Sequence, residues 1–330
     1  MTLKIGDKQF EFICYYKDDN HLRQSFNALT KRVYGFDFEQ WYKDGYWSDS
    51  YVPHSLLVDG EVVANSSISI IDFDLNGQKR KYIQIGTVMT APEYRGLGLS
   101  RFLMEKIMDE WKDKCDMLYL FANDSVLSFY PQFGFEKAEE YICTINTKTK
   151  FHIPLLGGVP AGRGGSEGHT HSKLRSGAGG VVNSLQTAKK INMDNNQNRL
   201  TLIEKIKQAK PLTSFSMIDN IGLIMFYLTS FLKDNVYHIP EYDAYVIYEV
   251  DEDVLHLQDV FCAEELAFND LLGNLVTDGI NEVRLGFIPK NEGGFEKKVL
   301  EEDDTTLFVF GNDAELFKKS KVRFPVLSRA

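Results

Sequence analysis

Residues 90–100 read TAPEYRGLGLS, with two glycines and an arginine set between two regular patterns. Before them stands KYIQIGTVMT (81–90), an apolar-rich run with the look of a strand. After them SRFLMEKIMDEWKDKC (100–115) gathers Phe102, Leu103, Ile107 and Trp111 on one helical side with charge on the other. DMLYLFA (116–122) follows, too apolar to have a wet face. Strand, glycine turn, helix and buried strand make a βαβ unit whose strands run parallel, so the glycines sit at a helix N-terminus. Such a terminus exposes unpaired N–H groups and the positive end of the helix dipole, which suit a phosphate. Glycine lets the anion reach the backbone, and Arg95 adds charge-assisted hydrogen bonds. On this reading residues 95–100 are an anion cradle. The alternatives are a glycine turn with no ligand, or a dinucleotide fold, whose G-x-G-x-x-G pattern fails at Arg101.

Upstream, QFEFICYY (9–16) reads as a strand and DDNHLRQSFNALTKRVYG (18–35) as a helix. Asp18 or Asp19 can cap it, Leu22, Phe26, Leu29 and Val33 fall at helical spacing, and Gly35 can end it. SLLVDGEVVANSSISIIDFDL (55–75) is a hairpin about Asp59-Gly60, and NGQK (76–79) turns into the next strand. An antiparallel meander therefore delivers the chain to the cradle.

Two motifs in order carry a family resemblance. VMTAPEYRGLGLS (88–100) fits [Q/R]-x-x-G-x-[G/A] with Arg95, Gly98 and, at the last position, Ser100. NDSVLSFYPQFGF (123–135) fits N-x-x-A-x-x-x-Y-x-x-x-G-F with Asn123, Val126 in place of Ala, Tyr130, Gly134 and Phe135. Over about residues 1–147 the chain resembles the GNAT superfamily of acyl-CoA-dependent N-acyltransferases. The resemblance implies an α/β (α+β) domain with a mixed sheet, splayed between its fourth and fifth strands, flanked by helices and holding acetyl-CoA in the gap. It implies that Val88, Met89 and Thr90 pair with the pantetheine arm. The N–H groups of Arg95, Gly96, Leu97, Gly98, Leu99 and Ser100 would hold the pyrophosphate, Asn123 would line the pantetheine path, and Tyr130 would stand near the thioester sulfur. Chemistry gives Tyr130 a role of its own, because expulsion of a thiolate is helped by a nearby phenol that protonates it. The other reading is a core tyrosine packed for its ring. Residues 82–90 contain no Asp or Glu, so no general base is named.

At 330 residues the chain exceeds one usual core, and the expected division is 1–150, a linker or insertion at 151–194, and 195–330. Residues 154–182 hold nine of the 25 glycines, with no aromatic and no Asp, a composition that cannot offset its ordering entropy. GGVPAGRGG (157–165) lacks the G-K-[ST] of a phosphate loop, and His169 and His171 have no Cys, Asp or third His nearby, so no metal is expected. Beyond Asn195, NRLTLIEKIKQAK (198–210) and TSFSMIDNIGLIMFYLTSFL (213–232) read as helices and DAYVIYEV (243–250) and VLHLQDVFC (254–262) as strands. The helix AEELAFNDLLGNLV (263–276) and the strand EVRLGFIP (282–289) follow. This order repeats that of residues 53–122, and Gly-Phe-Glu-Lys recurs at 134–137 and 294–297, which points to a degenerate tandem copy of the GNAT-like fold. The copy has no Arg-Gly-x-Gly, and Glu264 and Glu265 at its helix start would repel a phosphate, so one cofactor site is expected.

Net charge is −10 and no segment is strongly basic, which gives no support to nucleic acid as a partner. The four cysteines are scattered, as in a reduced, cytoplasmic protein, and MTLKIGDKQFEF lacks the apolar core of a signal peptide. The apolar run 221–232 is short of the ~20 residues that span a membrane. The function expected is transfer of an acetyl group from acetyl-CoA to a primary amine, on a small molecule or a peptide, by direct attack. The rival is a non-catalytic acyl-CoA-binding sensor. The sequence leaves the oligomeric state open.

Overall fold

The computed structural model describes residues 2–150 and 188–329. The glycine-rich segment and the pair His169 and His171 lie outside the described residues. The first part of the chain runs β1 (Thr2–Ile5), β2 (Lys8–Cys14), α1 (Asn20–Tyr34), α2 (Glu39–Lys43), β3 (Tyr51–Val58), β4 (Glu61–Leu75) and β5 (Gln78–Thr90). Next come α3 (Leu99–Trp111), β6 (Met117–Ala122), β7 (Glu136–Lys137), β8 (Tyr141–Asn146) and α4 (Thr147–Lys150). The second runs β9 (Lys189–Lys190), α5 (Asn196–Gln208), β10 (Phe215–Ile218), α6 (Ile221–Thr229), β11 (Val236–Ile239), β12 (Ala244–Asp251) and β13 (Val254–Phe261). It ends with α7 (Phe268–Leu275), β14 (Glu282–Leu285), β15 (Glu296–Val299), β16 (Thr306–Phe310) and α8 (Ala314–Ser320).

Local chemistry explains much of the first part. Asp19 caps α1 by accepting from the Leu22 N–H at 3.1 Å, and Gly35 closes it in the left-handed conformation. The Asp59-Gly60 and Asn76-Gly77 turns have both central residues at positive φ, the geometry that matches strand twist. α1 packs Phe26 and Leu29 with Tyr51, Leu57 and Met89. α3 packs Leu103 with Phe10 and Leu56, and Met104 and Ile107 with Ile68, Ile83 and Leu118. The sheet is thus flanked by helices.

The strands form two mixed sheets, ordered β1-β2-β3-β4-β5-β6-β16-β7 and β15-β8-β14-β13-β12-β11-β9. The tandem relation is visible in both. β5–α3–β6 in the first and β13–α7–β14 in the second are parallel βαβ units, each preceded by a hairpin. The two Gly-Phe-Glu-Lys stretches lead into β7 and β15, edge strands of their sheets. Yet each half sends its next strand to the other sheet. β8 pairs with β14 and β15, while β16 pairs with β6 and β7. The halves have exchanged equivalent strands, the intramolecular form of a domain swap. Buried groups seal the crossing: Tyr119 stacks on Phe324 with centroids 3.9 Å apart, and Arg329 bonds Glu140 at 2.6 Å and Glu302 at 2.7 Å.

Residues 213–232, whose spacing predicts a helix throughout, divide instead. Phe215–Ile218 forms β10 on the last four residues of the long β4, burying Phe215 against Phe73 at 4.6 Å. Only from Asn220, which caps α6 at the Leu223 N–H, does a helix begin. The helix expected from residue 263 starts at Phe268, so Glu264 and Glu265 stand before it and not in its first turn. No described helix is long and apolar enough to cross a membrane.

Candidate acyl-CoA cleft

The parallel pairing of β5 with β6 covers only Tyr82–Gln84 against Met117–Tyr119. Beyond it the strands diverge and leave a cleft of about 960 Å³. A bulge in β5 shapes its wall: the register with β4 shifts between Asn65 and Ser67, and Thr87 is held at φ 48°, a region that β-branched residues avoid. A buried polar network fixes it. Asn65 donates through Nδ2 to the Thr87 carbonyl at 2.9 Å, Tyr51 and Thr87 share a hydroxyl bond of 2.8 Å, and Ser55 links Asn65 (2.9 Å) to Tyr16 (2.6 Å). Burial keeps the Tyr16 and Tyr51 phenols protonated.

The glycine turn lines the cleft. Gly96 and Gly98 both stand at φ +78°, and a Cβ built on either meets nothing within 4 Å. Backbone conformation therefore demands glycine there, and the space above the turn is open. Among the described residues nothing hydrogen-bonds the amides of Gly96, Leu97, Gly98, Leu99 or Ser100. Ser100 shares a 3.1 Å hydroxyl bond with Thr90 that ties helix start to strand end. Arg95 donates Nε–H to the Thr90 carbonyl at 3.2 Å. Arg32 holds Glu93 by two bonds of 2.9 Å, so the nearby carboxylate is neutralised. Arg101, one position past the motif, also lines the cleft, bonded to Gln132 and 5.3 Å from the Phe133 ring. In a chain of net charge −10, the charged residues that line the cleft among the described residues are Arg95 and Arg101.

Tyr130 also lines the cleft, at the start of a short 3₁₀ turn, Tyr130–Phe133, rather than on a full helix. Its ring packs against Phe129 at 5.2 Å and Phe308 at 5.7 Å, and it is 5% exposed. Its hydroxyl has no protein partner among the described residues and is not sealed from the cleft. Burial, helped by the nearby Tyr34, pushes its pKa up to about 12, so it stays a neutral proton donor around pH 7. Tyr34 donates its hydroxyl to the Val88 carbonyl at 2.7 Å.

The cleft thus gathers Val88, Met89, Thr90, Arg95, Gly96, Gly98, Leu99, Ser100, Asn123 and Tyr130. Leu97 turns its side chain toward Phe10 and Leu56, and what it offers the turn is its backbone N–H. Sequence reasoning missed Tyr34, Phe36 and Arg101; for Arg101 the signal was its place in the first turn of α3, whereas nothing in the spacing singles out the other two.

The second half repeats the splay but fills it. β13 pairs with β14 over Val254–Leu257 and Glu282–Leu285. Beyond that, residues 210–213 lie between the diverging ends: Lys210 donates its N–H to the Cys262 carbonyl at 2.8 Å, Leu212 accepts from the Lys290 N–H at 2.8 Å, and Thr213 bridges Pro289. At Gly286 a Cβ would come within 2.7 Å of the Gln258 carbonyl, so the gap is also tight. The chain's own backbone bridges the diverging strand ends. Among the described residues no three His, Cys, Asp or Glu side chains cluster as a metal site.

The Acetyltransferase (GNAT) domain family matches residues 19–138. Among solved structures the chain is similar to a conserved protein of unknown function from Enterococcus faecalis V583, described as a probable N-acyltransferase. Identity is 18% and the TM-score 0.56, over 91% of this chain and 71% of that one. It is also similar to a GCN5-related N-acetyltransferase from Kribbella flavida, at 15% identity and TM-score 0.51, over 92% of this chain and 72% of that one. At such identities the likeness concerns the fold, and it extends across both halves. No curated protein matches the chain in sequence.

Proposed function

From a GNAT acetyltransferase domain at residues 19–138, we propose that this chain transfers an acetyl group from acetyl-CoA to a primary amine by direct attack. The observation that carries the reading is the cleft itself. Bare amides, two arginines, a neutral phenol and a bulged strand edge line one cleft. The diphosphate of acetyl-CoA would sit on the amides of residues 96–100 with Arg95 and Arg101 beside it. Its extended arm would follow Thr87–Thr90, with Asn123 opposite.

In the reaction the amine lone pair attacks the thioester carbonyl carbon, the C–S bond breaks, and the leaving sulfur takes the Tyr130 proton. The acceptor's ammonium gives one proton to water before attack, and its nitrogen gives a second as the C–S bond breaks, which returns through water to the Tyr130 phenolate, since no Asp or Glu lines the cleft among the described residues. None of the four cysteines lines it either, which favours direct transfer over a cysteine-bound acyl-enzyme. Tyr34 and Phe36 stand where the acceptor would enter.

The test is release of free CoA thiol from acetyl-CoA across a panel of amines, with Tyr130→Phe as control. Amine-dependent turnover that falls in the variant supports the reading. Tight binding without turnover for any amine would favour the sensor, and absence of binding would remove both.

A further inference from the structure

Asp304 lies in EEDDTTLF (301–308), an acidic turn that nothing in the sequence sets apart. Strand exchange brings it to the first half's cleft, because β16 pairs antiparallel with β6 in a register that sets Thr306 opposite Ala122. There the Asp304 carboxylate accepts twice: from Asn123 Nδ2 at Oδ2 (2.8 Å) and from the backbone N–H of Asp124 at Oδ1 (2.7 Å). Both donors open the segment 123–133, which lines the cleft and carries Tyr130. That segment is built of short 3₁₀ turns, Asp124–Val126 and Tyr130–Phe133, with local bonds such as Val126 N–H to the Asn123 carbonyl at 3.1 Å. Its start is therefore anchored from the other half of the chain.

We propose that Asp304 is a positioning residue of the acyl-CoA site, contributed by the C-terminal half, which orients the Asn123 side chain toward the bound arm and pins the loop that delivers Tyr130. The inference rests on the acetyl-CoA reading given above. It assigns the second half a part in the first half's site, although its own splay is filled.

Asp304 stands at φ 52°, a conformation open to Gly and tolerated by Asn. Asp304→Gly in the full chain thus keeps the turn while removing both acceptors, and Asp304→Asn restores one. Acetyl-CoA affinity is measured by titration calorimetry for each, alone and with Asn123→Ala, alongside amide hydrogen exchange over residues 123–130 in the free protein. Loss of charge-assisted bonds predicts affinity about tenfold weaker for Asp304→Gly, partial rescue by Asp304→Asn, and a smaller loss when Asn123 is already alanine. Exchange over 123–130 rises while β6 stays protected. Parent-like affinity in Asp304→Gly, equal loss with and without Asn123, or unchanged exchange overturns the positioning role alone. A parent chain that binds no acetyl-CoA overturns the reading of the site, and this inference with it.

Discussion

Gly98 offers a test in which charge can be separated from shape. At φ +78° and ψ 13° it begins α3, and a side chain there projects into open space above the turn. Asn and Asp both tolerate this backbone, and they differ by a single charge. Gly98→Asn should fill part of the cradle, whereas Gly98→Asp also sets a carboxylate against the diphosphate. For unit charges about 5 Å apart, an effective dielectric between about 80 and 20 gives roughly 0.8–3.3 kcal/mol. That is roughly four-fold to a few hundred-fold in affinity between the two variants, using 1.36 kcal/mol per decade. Titration calorimetry with acetyl-CoA reads the ratio, and thermal unfolding checks that both variants fold. Added salt should shrink the ratio, because the repulsion acts in a solvent-accessible turn. Equal affinities for Asn and Asp, or an Asp variant that binds like the parent, would refute the anion cradle.

Tyr130→Phe should lower kcat by roughly 10²–10⁴ and leave acetyl-CoA affinity nearly unchanged, the range for a general acid. Since the phenol is the proton-bearing form and its pKa is raised to about 12, its contribution persists through neutrality and is lost only as pH rises toward that value; an alkaline fall near pH 8 that vanishes in the variant would contradict this. Arg101→Ala should weaken acetyl-CoA binding by roughly 10- to 100-fold, less at high salt, and an unchanged affinity would take Arg101 out of the site. Burial raises the half-buried Asp259 carboxyl from its ordinary value to about 7, so the native state binds that proton more tightly than the unfolded chain. The stability this provides is present at acid pH and lost as pH rises through about 7, and Asp259→Asn should raise Tm more at pH 8 than at pH 5; an equal rise at both would refute it. Residues 1–150 and 188–330 produced as separate chains should co-purify, because each holds a strand of the other's sheet, and a first fragment that folds alone as a monomer would argue against the exchange.

What could be read from the sequence was what short range decides. The Asp59-Gly60 and Asn76-Gly77 turns, the Asp19 cap and the left-handed Gly96 and Gly98 are set by residues a few positions apart. They set the glycine turn at the start of a helix in a βαβ unit, while the splayed gap beside it was implied by the family resemblance alone. Long-range pairing left no such trace. β8 and β16 are short apolar strands that either sheet could accept, and their partners are chosen by packing across the whole molecule. β10 has helical spacing in isolation, but the free edge of β4 and the Phe73 ring decided its state. Asp304 is one acidic residue among several until β16 is placed. The expectation of a single cofactor site rests on the missing Arg-Gly-x-Gly and on Glu264 and Glu265, whereas the backbone of residues 210–213 between the diverging strands had no local signal.

The exchanged strands bear on how such a chain can change over generations. After a gene duplication, a copy that loses its binding gap is usually free to decay or be deleted. Here deletion of the second copy would strip β16 from the first sheet, exposing the edge of β6 and the ring of Tyr130 that Phe308 covers. The second copy can therefore drift in its gap, but it cannot leave. Its inheritance is secured by a strand that completes its neighbour's sheet, so the two halves of the gene are held under different constraints while remaining inseparable.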